Sequence, residues 1–246
     1  MSTHNTGCGS CAEAATLACV GCHDIRDCGK DCQQKDWNNH KYLCSTFEDF
    51  RSRPSPLYRR AILLGASQNS KPEFVWVKVE KEDVDEDGEA DYEVGFDEEY
   101  EVNIGESEGA MEVPLMETFL RLEGSHGCPL VKPITIVLRK LGKGQLLDHV
   151  IHVWYREDFS ADGSQFNECF QKLTPGNMEE YWRGPLLFVG TSKVQEPRLV
   201  KDLDTADLSI AFKGLLYYQQ VLQVNRAFNN GVWNPSLAAI LASKTI

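Results

Sequence analysis

The sequence predicts an α+β protein in two parts: a small cysteine-rich N-terminal unit and a larger domain with a mostly antiparallel sheet. Seven of the nine cysteines fall between Cys8 and Cys44. Beyond them, strand-like segments follow one another along the chain instead of alternating regularly with helices, which favours α+β over α/β. The chain of 246 residues has room for one or two domains. Its hydrophobic fraction of 42% and charged fraction of 25% are typical of globular proteins.

The N-terminal unit contains four pairs of residues at metal-ligand spacing. Two pairs are Cys-x2-Cys, the third is Cys-x3-Cys and the fourth is His-x3-Cys. A Cys-x2-Cys pair closes a turn that aims two sulfurs at one point, and we expect Gly9 and Gly21 to ease these turns because glycine tolerates positive φ. The third and fourth pairs would share helical faces, and segment 30–44 is compatible with a helix. The eight residues are Cys8, Cys11, Cys19, Cys22, Cys28, Cys32, His40 and Cys44.

Seven thiols and one imidazole are enough for two tetrahedral zinc sites, and four protein ligands per ion would make both sites structural. The alternative is a set of free or disulfide-bonded cysteines, but four pairs at suitable spacing favour metal. A unit of roughly 40 residues buries too little apolar surface to fold alone, so zinc should supply its stability. Spacing alone leaves open which pairs share an ion.

The order of the four pairs resembles the MYND-type zinc finger. The run from Cys28 to Cys44, which includes Gln33, Trp37 and His40, is especially similar to that family, and the resemblance covers residues 8–44 only. MYND fingers interleave their ligands. The resemblance therefore implies one zinc ion held by Cys8, Cys11, Cys28 and Cys32, and a second held by Cys19, Cys22, His40 and Cys44.

MYND fingers are mainly protein-interaction modules, and several bind short proline-containing peptides in a shallow groove lined by a Gln and a Trp. The resemblance places these residues at Gln33 and Trp37. Being four apart on the predicted helix, they share a face, where an indole suits a polyproline-type segment and an amide supplies hydrogen bonds. The alternative is that Trp37 packs inside the finger or against the second domain. The chain departs from the family pattern at Val20 and Asp27, which leaves the peptide preference open.

Two functional hypotheses follow. The leading one is a zinc-binding adaptor whose finger binds a short partner peptide, with proline-containing segments as the candidates. The alternative is an enzyme with an unidentified active site in residues 61–246, for which the finger is a recruiting module. Some MYND proteins are SET-domain methyltransferases, but the cofactor and tyrosine motifs of that domain are absent from this sequence, and the residues favour a protein that is not an enzyme.

The chain divides by composition into a finger at 1–45, a linker at 46–60 and a larger domain at 61–246 of unknown role. The linker contains Pro54, Pro56 and four arginines, which are typical of a boundary segment. In the larger domain, alternating or β-rich runs predict strands at 74–80, 92–96, 100–104, 134–139, 150–155 and 186–190. Helices are predicted at 114–122 with Pro114 in the first turn, at 166–173, at 208–222 capped by Asp204 or Thr205, and at 235–243.

The net charge of −12 is concentrated in one segment. Residues 80–108 contain fifteen acidic side chains and one basic side chain, and the rest of the chain is nearly neutral. The spacing of Asp83, Asp85 and Asp87 begins like a calcium-binding loop, but Val94 occupies the position that requires Glu. We interpret the segment as a charged hairpin tip, with calcium binding left open.

Cys128 and Cys169, with His126, His149 or His152 as a base, are weak candidates for a catalytic pair because the sequence brings no activating partner near either thiol. We expect Cys169 to lie in the core. His149 and His152 are three apart on a predicted strand and should face opposite sides of the sheet.

The charge balance argues against nucleic acid and anionic membranes as partners. The chain has neither an apolar run of membrane-spanning length nor a signal-peptide pattern. We therefore expect an intracellular protein of the cytoplasm or nucleus.

Overall fold

The finger and the sheet are seen in a computed structural model of the chain. The structure describes residues 8, 10–11, 13–67, 69–82, 111–114, 117–120, 131–136, 149–157, 159, 161–173, 182–192, 199–212 and 214–215.

The finger contains a short hairpin and one helix. Strands β1 (Leu17–Ala18) and β2 (Arg26–Asp27) pair antiparallel, and α1 (Lys30–Cys44) follows directly. The helix has the bounds that the sequence predicted. A 3₁₀ helix at Phe47–Phe50 then carries the chain to the sheet.

The larger part is built on a sheet in which every pairing is antiparallel, as the sequence predicted. Its strand order is β5-β4-β3-β8-β7-β6, with β9 paired to β8. The strands are β3 (Tyr58–Leu64), β4 (Glu73–Glu82), β5 (Met111–Pro114), β6 (Val131–Ile136), β7 (His149–Arg156), β8 (Leu186–Ser192) and β9 (Val200–Lys201). The helices are α2 (Glu117–Leu120) and α3 (Glu168–Leu173), together with residues 207–212 and 214–215, which we call α4.

Four strands predicted from alternation or β-rich composition are present, as β4, β6, β7 and β8, and the helix predicted at 166–173 is present as α3. The prediction that Pro114 lies in the first turn of a helix was wrong. Pro114 ends β5, where it faces Val79 of β4, and the described helix α2 spans Glu117–Leu120. A proline at the end of an edge strand of the described sheet costs no ladder hydrogen bond, so the same residue suits a strand end as well as a first helical turn.

The N-terminus of α4 is closed by a reciprocal pair of carboxylates. The Asp204 Oδ1 atom accepts bonds from the backbone N–H groups of Ala206 and Asp207, at 2.8 and 3.3 Å, and the Asp204 N–H donates to Asp207 Oδ2 at 2.7 Å. Asp204, one of the two predicted caps, therefore satisfies the free N–H groups of this first turn.

The sheet is buried on both faces. One face carries a core that includes Ile62, Phe74 and Phe188 and is covered by the finger, α3 and α4. The other face carries a second core around Val77 and Val79 with Leu120 of α2. Val75, Val77 and Val79 share this second face, as the alternation of β4 predicted.

Several sequence predictions lie outside the described residues. They are the strands at 92–96 and 100–104, the helix at 235–243, the end of the helix beyond 215, the possible calcium loop, His126 and Cys128. The pairing of Glu82 with Met111 does show that the chain on either side of the acidic segment lies in adjacent antiparallel strands. No helix among the described residues has the length and apolar character needed to cross a membrane.

Candidate metal centres

The first predicted set of ligands comes together between the start of the chain and the beginning of α1. The sulfurs of Cys11, Cys28 and Cys32 lie 3.4 to 3.6 Å from one another. Cys8 completes this first cluster, with all four sulfurs within 4.8 Å of one another. Cys8 is buried and its thiol lies 3.5 Å from the Asp27 carboxylate, whereas Cys28 is exposed.

The second predicted set comes together between the finger hairpin and the end of α1. The Nε2 atom of His40 lies 3.3 Å from the Cys19 sulfur and 3.5 Å from the Cys22 sulfur, and the sulfurs of Cys19 and Cys44 are 3.6 Å apart. The four ligand atoms of this second cluster also lie within 4.8 Å of one another. The structure therefore groups the eight residues in the interleaved order that the family resemblance implied.

The distances within both clusters fit tetrahedral zinc. A zinc ion with bonds of about 2.3 Å to sulfur and about 2.0 Å to nitrogen holds its ligand sulfurs roughly 3.8 Å apart and a sulfur and a nitrogen roughly 3.6 Å apart. The observed separations are close to these values and far longer than a disulfide bond of about 2.05 Å. Every cysteine among the described residues is free, so the disulfide alternative does not hold for them. The two clusters fit two zinc ions.

Gly21 and His23 shape the turn of the second cluster. A Cβ atom at Gly21 would lie 2.9 Å from the Cys44 sulfur, so glycine is needed there for space. The positive φ expected at Gly21 occurs instead at His23, at 56°. The His23 N–H donates to the Cys19 carbonyl at 2.9 Å and closes the turn around both cysteines. Gly9 lies outside the described residues.

Cys28 does not lie on the helix, contrary to the sequence prediction. Gly29 has an extended backbone with φ −170° and ψ 174°, and α1 begins one residue later. Of the two pairs spaced by four, only His40 and Cys44 therefore share a helical face. Cys28 approaches Cys32 from the loop before the helix, because Gly29 between them has extended and not helical dihedral angles.

The second cluster has a carboxylate behind its histidine, which the sequence analysis missed. The Nδ1 atom of His40 lies 3.9 Å from the Asp36 carboxylate, one helical turn earlier, while Nε2 faces the sulfurs. A carboxylate that accepts a hydrogen bond from the far nitrogen of a ligating imidazole orients the ring. At 3.9 Å no such bond is made here, and the buried Nδ1 atom has no hydrogen-bond partner among the described residues, so Asp36 lies near the ring without fixing it. The spacing of four between Asp36 and His40 on a predicted helix was the available signal.

Burial favours the neutral forms of three of the second cluster's ligands, Cys22, His40 and Cys44. It lowers the pKa of His40, which keeps the imidazole in the neutral form that binds metal. Burial, together with the neighbouring Cys19 thiol, raises the pKa of Cys44 to about 12. Several thiolates at this separation would repel one another, so a cation among them is what allows them to ionise together.

Gln33 and Trp37 are both exposed on α1. The Trp37 side chain is 48% exposed and its ring lies 5.7 Å from that of His40. Trp37 is therefore not packed inside the finger or against the sheet, contrary to the alternative interpretation. Val20, between two ligands of the second cluster, is 89% exposed.

The candidate nucleophile outside the finger is a core residue. Cys169 is 1% exposed within the core that faces the finger, and burial raises its pKa to about 12. His149 and His152 do face opposite sides of β7: the first lies 3.1 Å from Asp207 of α4, and the second 2.8 Å from the Thr191 hydroxyl of β8.

Fold and site together define a class of protein: a two-zinc, cysteine-rich finger joined to an antiparallel α+β domain. Residues 8–44 match the family model of the MYND finger. Residues 8–44 are therefore a MYND-type finger whose two ligand clusters fit zinc. The match begins at the first ligand of the first cluster and ends at the last ligand of the second.

Curated relatives match the chain in the region of this finger. Protein CBFA2T2 of Mus musculus and of Homo sapiens are each 46% identical over 43 residues, which is 18% of this chain and 7% of theirs. Protein CBFA2T2 of Xenopus laevis is 36% identical over 47 residues, or 19% of this chain and 8% of its own. The chain thus spans less than a tenth of the length of these relatives. No solved structure matches the chain.

Proposed function

We propose that the protein is an adaptor whose MYND finger, folded around two zinc ions, binds a short proline-containing segment of a partner protein through Gln33 and Trp37. Cys8, Cys11, Cys28 and Cys32 hold the first ion, and Cys19, Cys22, His40 and Cys44 hold the second.

The observation that carries this proposal is the exposure of Trp37. A large indole that leaves 48% of its surface in water on a zinc-stabilised helix is available for a ligand. Its ring offers an apolar plate to a proline ring, and the exposed Gln33 amide one turn away can donate to and accept from an extended backbone. The zinc ions fix the helix and hence the spacing of the two side chains.

The comparisons give no support to the enzyme alternative. Four protein ligands around each ion leave no open coordination position, so the zinc ions are structural and not catalytic.

The test measures binding of the zinc-loaded full chain to an array of short proline-containing peptides, with Trp37→Ala and Gln33→Ala beside the wild type. Leu57→Ala is the matched control, since Leu57 is also a large hydrophobic residue at a similar exposure, 46%, and lies outside the finger. We expect Trp37→Ala to lose binding by tenfold or more, about 1.4 kcal/mol, while it keeps both zinc ions. Peptide binding that survives Trp37→Ala, or that falls equally in Leu57→Ala, would refute the proposal.

A further inference from the structure

The second zinc cluster lies against the sheet, and its residues belong to the sheet's core. Cys22, Ile25 and Leu43 are at most 4% exposed and form one continuous apolar cluster with core residues of β3, β4, β8 and α4. Cys19 and Cys44 pack against the same cluster. Three of the four ligands of this cluster therefore sit at the boundary between the finger and the domain.

Polar contacts cross the same boundary. The Asp24 carboxylate accepts two hydrogen bonds from Thr205, from its backbone N–H at 3.0 Å and from its hydroxyl at 2.8 Å. Thr205 is fully buried. The Asn39 amide donates to the Ser209 hydroxyl at 3.3 Å. Asp24 follows Cys22 by two residues, so the turn that holds the ligand is also bonded to the residues that lead into α4.

The 3₁₀ helix adds a third connection. The Arg51 guanidinium, just after this helix, donates to the Cys22 carbonyl at 2.8 Å. Phe47 and Phe50 of the 3₁₀ helix pack on Phe74 of β4, with ring centroids 5.8 Å apart in both cases. The second cluster is thus held from the hairpin side, from α1 and from the sheet.

Among the described residues, the first cluster has no comparable contacts with the sheet. None of its four cysteines belongs to either core among the residues that the structure describes. The hydrogen bonds that the structure describes at this cluster stay within the finger: Ser10 donates its backbone N–H to the Cys8 sulfur and its hydroxyl to the Cys32 carbonyl. The two metal centres therefore differ in what their loss would disturb.

We propose that zinc in the second cluster is coupled to the folding of the sheet domain, whereas zinc in the first cluster stabilises the finger alone. The inference rests on the ligand sets of the proposed function but not on peptide binding. Because linkage is reciprocal, zinc at the second cluster stabilises the sheet, and the intact sheet retains that zinc.

One ligand from each cluster, similar in exposure, makes the first test. Cys19→Ser and Cys32→Ser each remove one thiol that is partly exposed, and native mass spectrometry should find one zinc ion lost in each. Hydrogen exchange of the full chain should then be faster by roughly tenfold in β3 and β8 of Cys19→Ser and close to wild type in those strands of Cys32→Ser. If each variant lost one ion but hydrogen exchange in β3 and β8 were equal in the two, the proposed coupling would be wrong while the ligand assignment would stand. If neither variant lost an ion, the ligand assignment would fail, and the coupling with it.

A second test leaves all ligands in place, in case Cys19→Ser does not fold. Thr205→Val removes the hydroxyl that donates to Asp24, and Thr191→Val is the matched control, a buried threonine that bonds His152 within the sheet. We expect Thr205→Val to release one of its two zinc ions to a colorimetric chelator about fivefold faster than wild type, and the control to release both at the wild-type rate. Wild-type release of both ions from Thr205→Val, or equal acceleration in the control, would overturn the proposal.

Discussion

At the residue scale, small differences of space and solvation decide the role of each site residue. Cys44 is partly buried and Cys169 is fully buried, and burial raises the pKa of both thiols to about 12. Cys44 has a histidine and two further thiols beside it, whereas Cys169 has Phe170 and the apolar core. The sequence distinguished them by spacing alone. It did not reveal that Gly21 is needed for space, since that depends on the Cys44 sulfur 23 positions later in the chain.

Gly21→Ala should weaken zinc binding at the second cluster only. The new methyl group would meet the Cys44 sulfur at 2.9 Å, and overpacking of this kind costs about 1–3 kcal/mol. Competition with a zinc chelator should show one of the two ions released at least about fivefold more readily. Gly29→Ala is the control, because nothing lies within 4 Å of its added Cβ. Equal release from both variants would show that the close approach does not matter.

Cys169 should resist alkylation in the native protein. With a pKa of about 12, against about 8.5 for a free thiol, it holds roughly a thousandfold less thiolate at pH 8. The raised pKa contributes stability in full below about pH 8.5, and this contribution is lost as the pH rises towards 12. Iodoacetamide labelling followed by peptide mass spectrometry measures the rate. Native labelling of Cys169 as fast as in urea would contradict its place in the core.

At the element scale, the sequence predicted those elements whose signals are local. The α1 helix and strands β4, β6, β7 and β8 follow from continuous patterns of composition or alternation. Strand β3 was not identified, because the preceding prolines and arginines suggested a linker. Arg60 is buried in β3 since its guanidinium lies over the rings of Phe47 and Phe74, at 4.5 and 5.3 Å, and donates to the Leu203 carbonyl. These partners come from other elements, so the sequence alone could not show them.

The carboxylate cap of α4 gives a test at this scale. Asp204→Ala removes the acceptor of two backbone bonds and should lower the free energy of unfolding by about 1 kcal/mol in urea denaturation. Asp204→Asn keeps an acceptor and should be at least as stable as wild type at pH 7.

The difference in stability between Asp204→Asn and the wild type should depend on pH, because the pKa of the Asp204 carboxyl is shifted. Burial, with the carboxylates of Asp207 and Asp24 nearby, raises the pKa of Asp204 well above its ordinary value. The folded protein therefore favours the protonated form, and this stability is present at acid pH and lost as the pH rises above about 4. The stability of Asp204→Asn relative to wild type should increase from pH 4 upwards. A difference that decreases with pH would contradict the shift.

At the scale of the whole molecule, the finger and the sheet meet through a common core. The division into a finger at 1–45, a linker at 46–60 and a domain at 61–246 stays a proposal. The sequence could place the eight ligands, because ligand spacing is local, but not the face that the finger covers, which depends on apolar residues such as Ile25 and Leu43 meeting Phe188 and Phe212 far along the chain.

The count of zinc ions per chain tests the central claim most directly. Native mass spectrometry of the full 27.7 kDa chain should find two zinc ions in the wild type, one in Cys28→Ser and one in Cys44→Ser. The double variant should hold none, because the two residues belong to different clusters. A wild-type chain that binds fewer than two ions, or a double variant that still retains one, would contradict the two interleaved zinc sites.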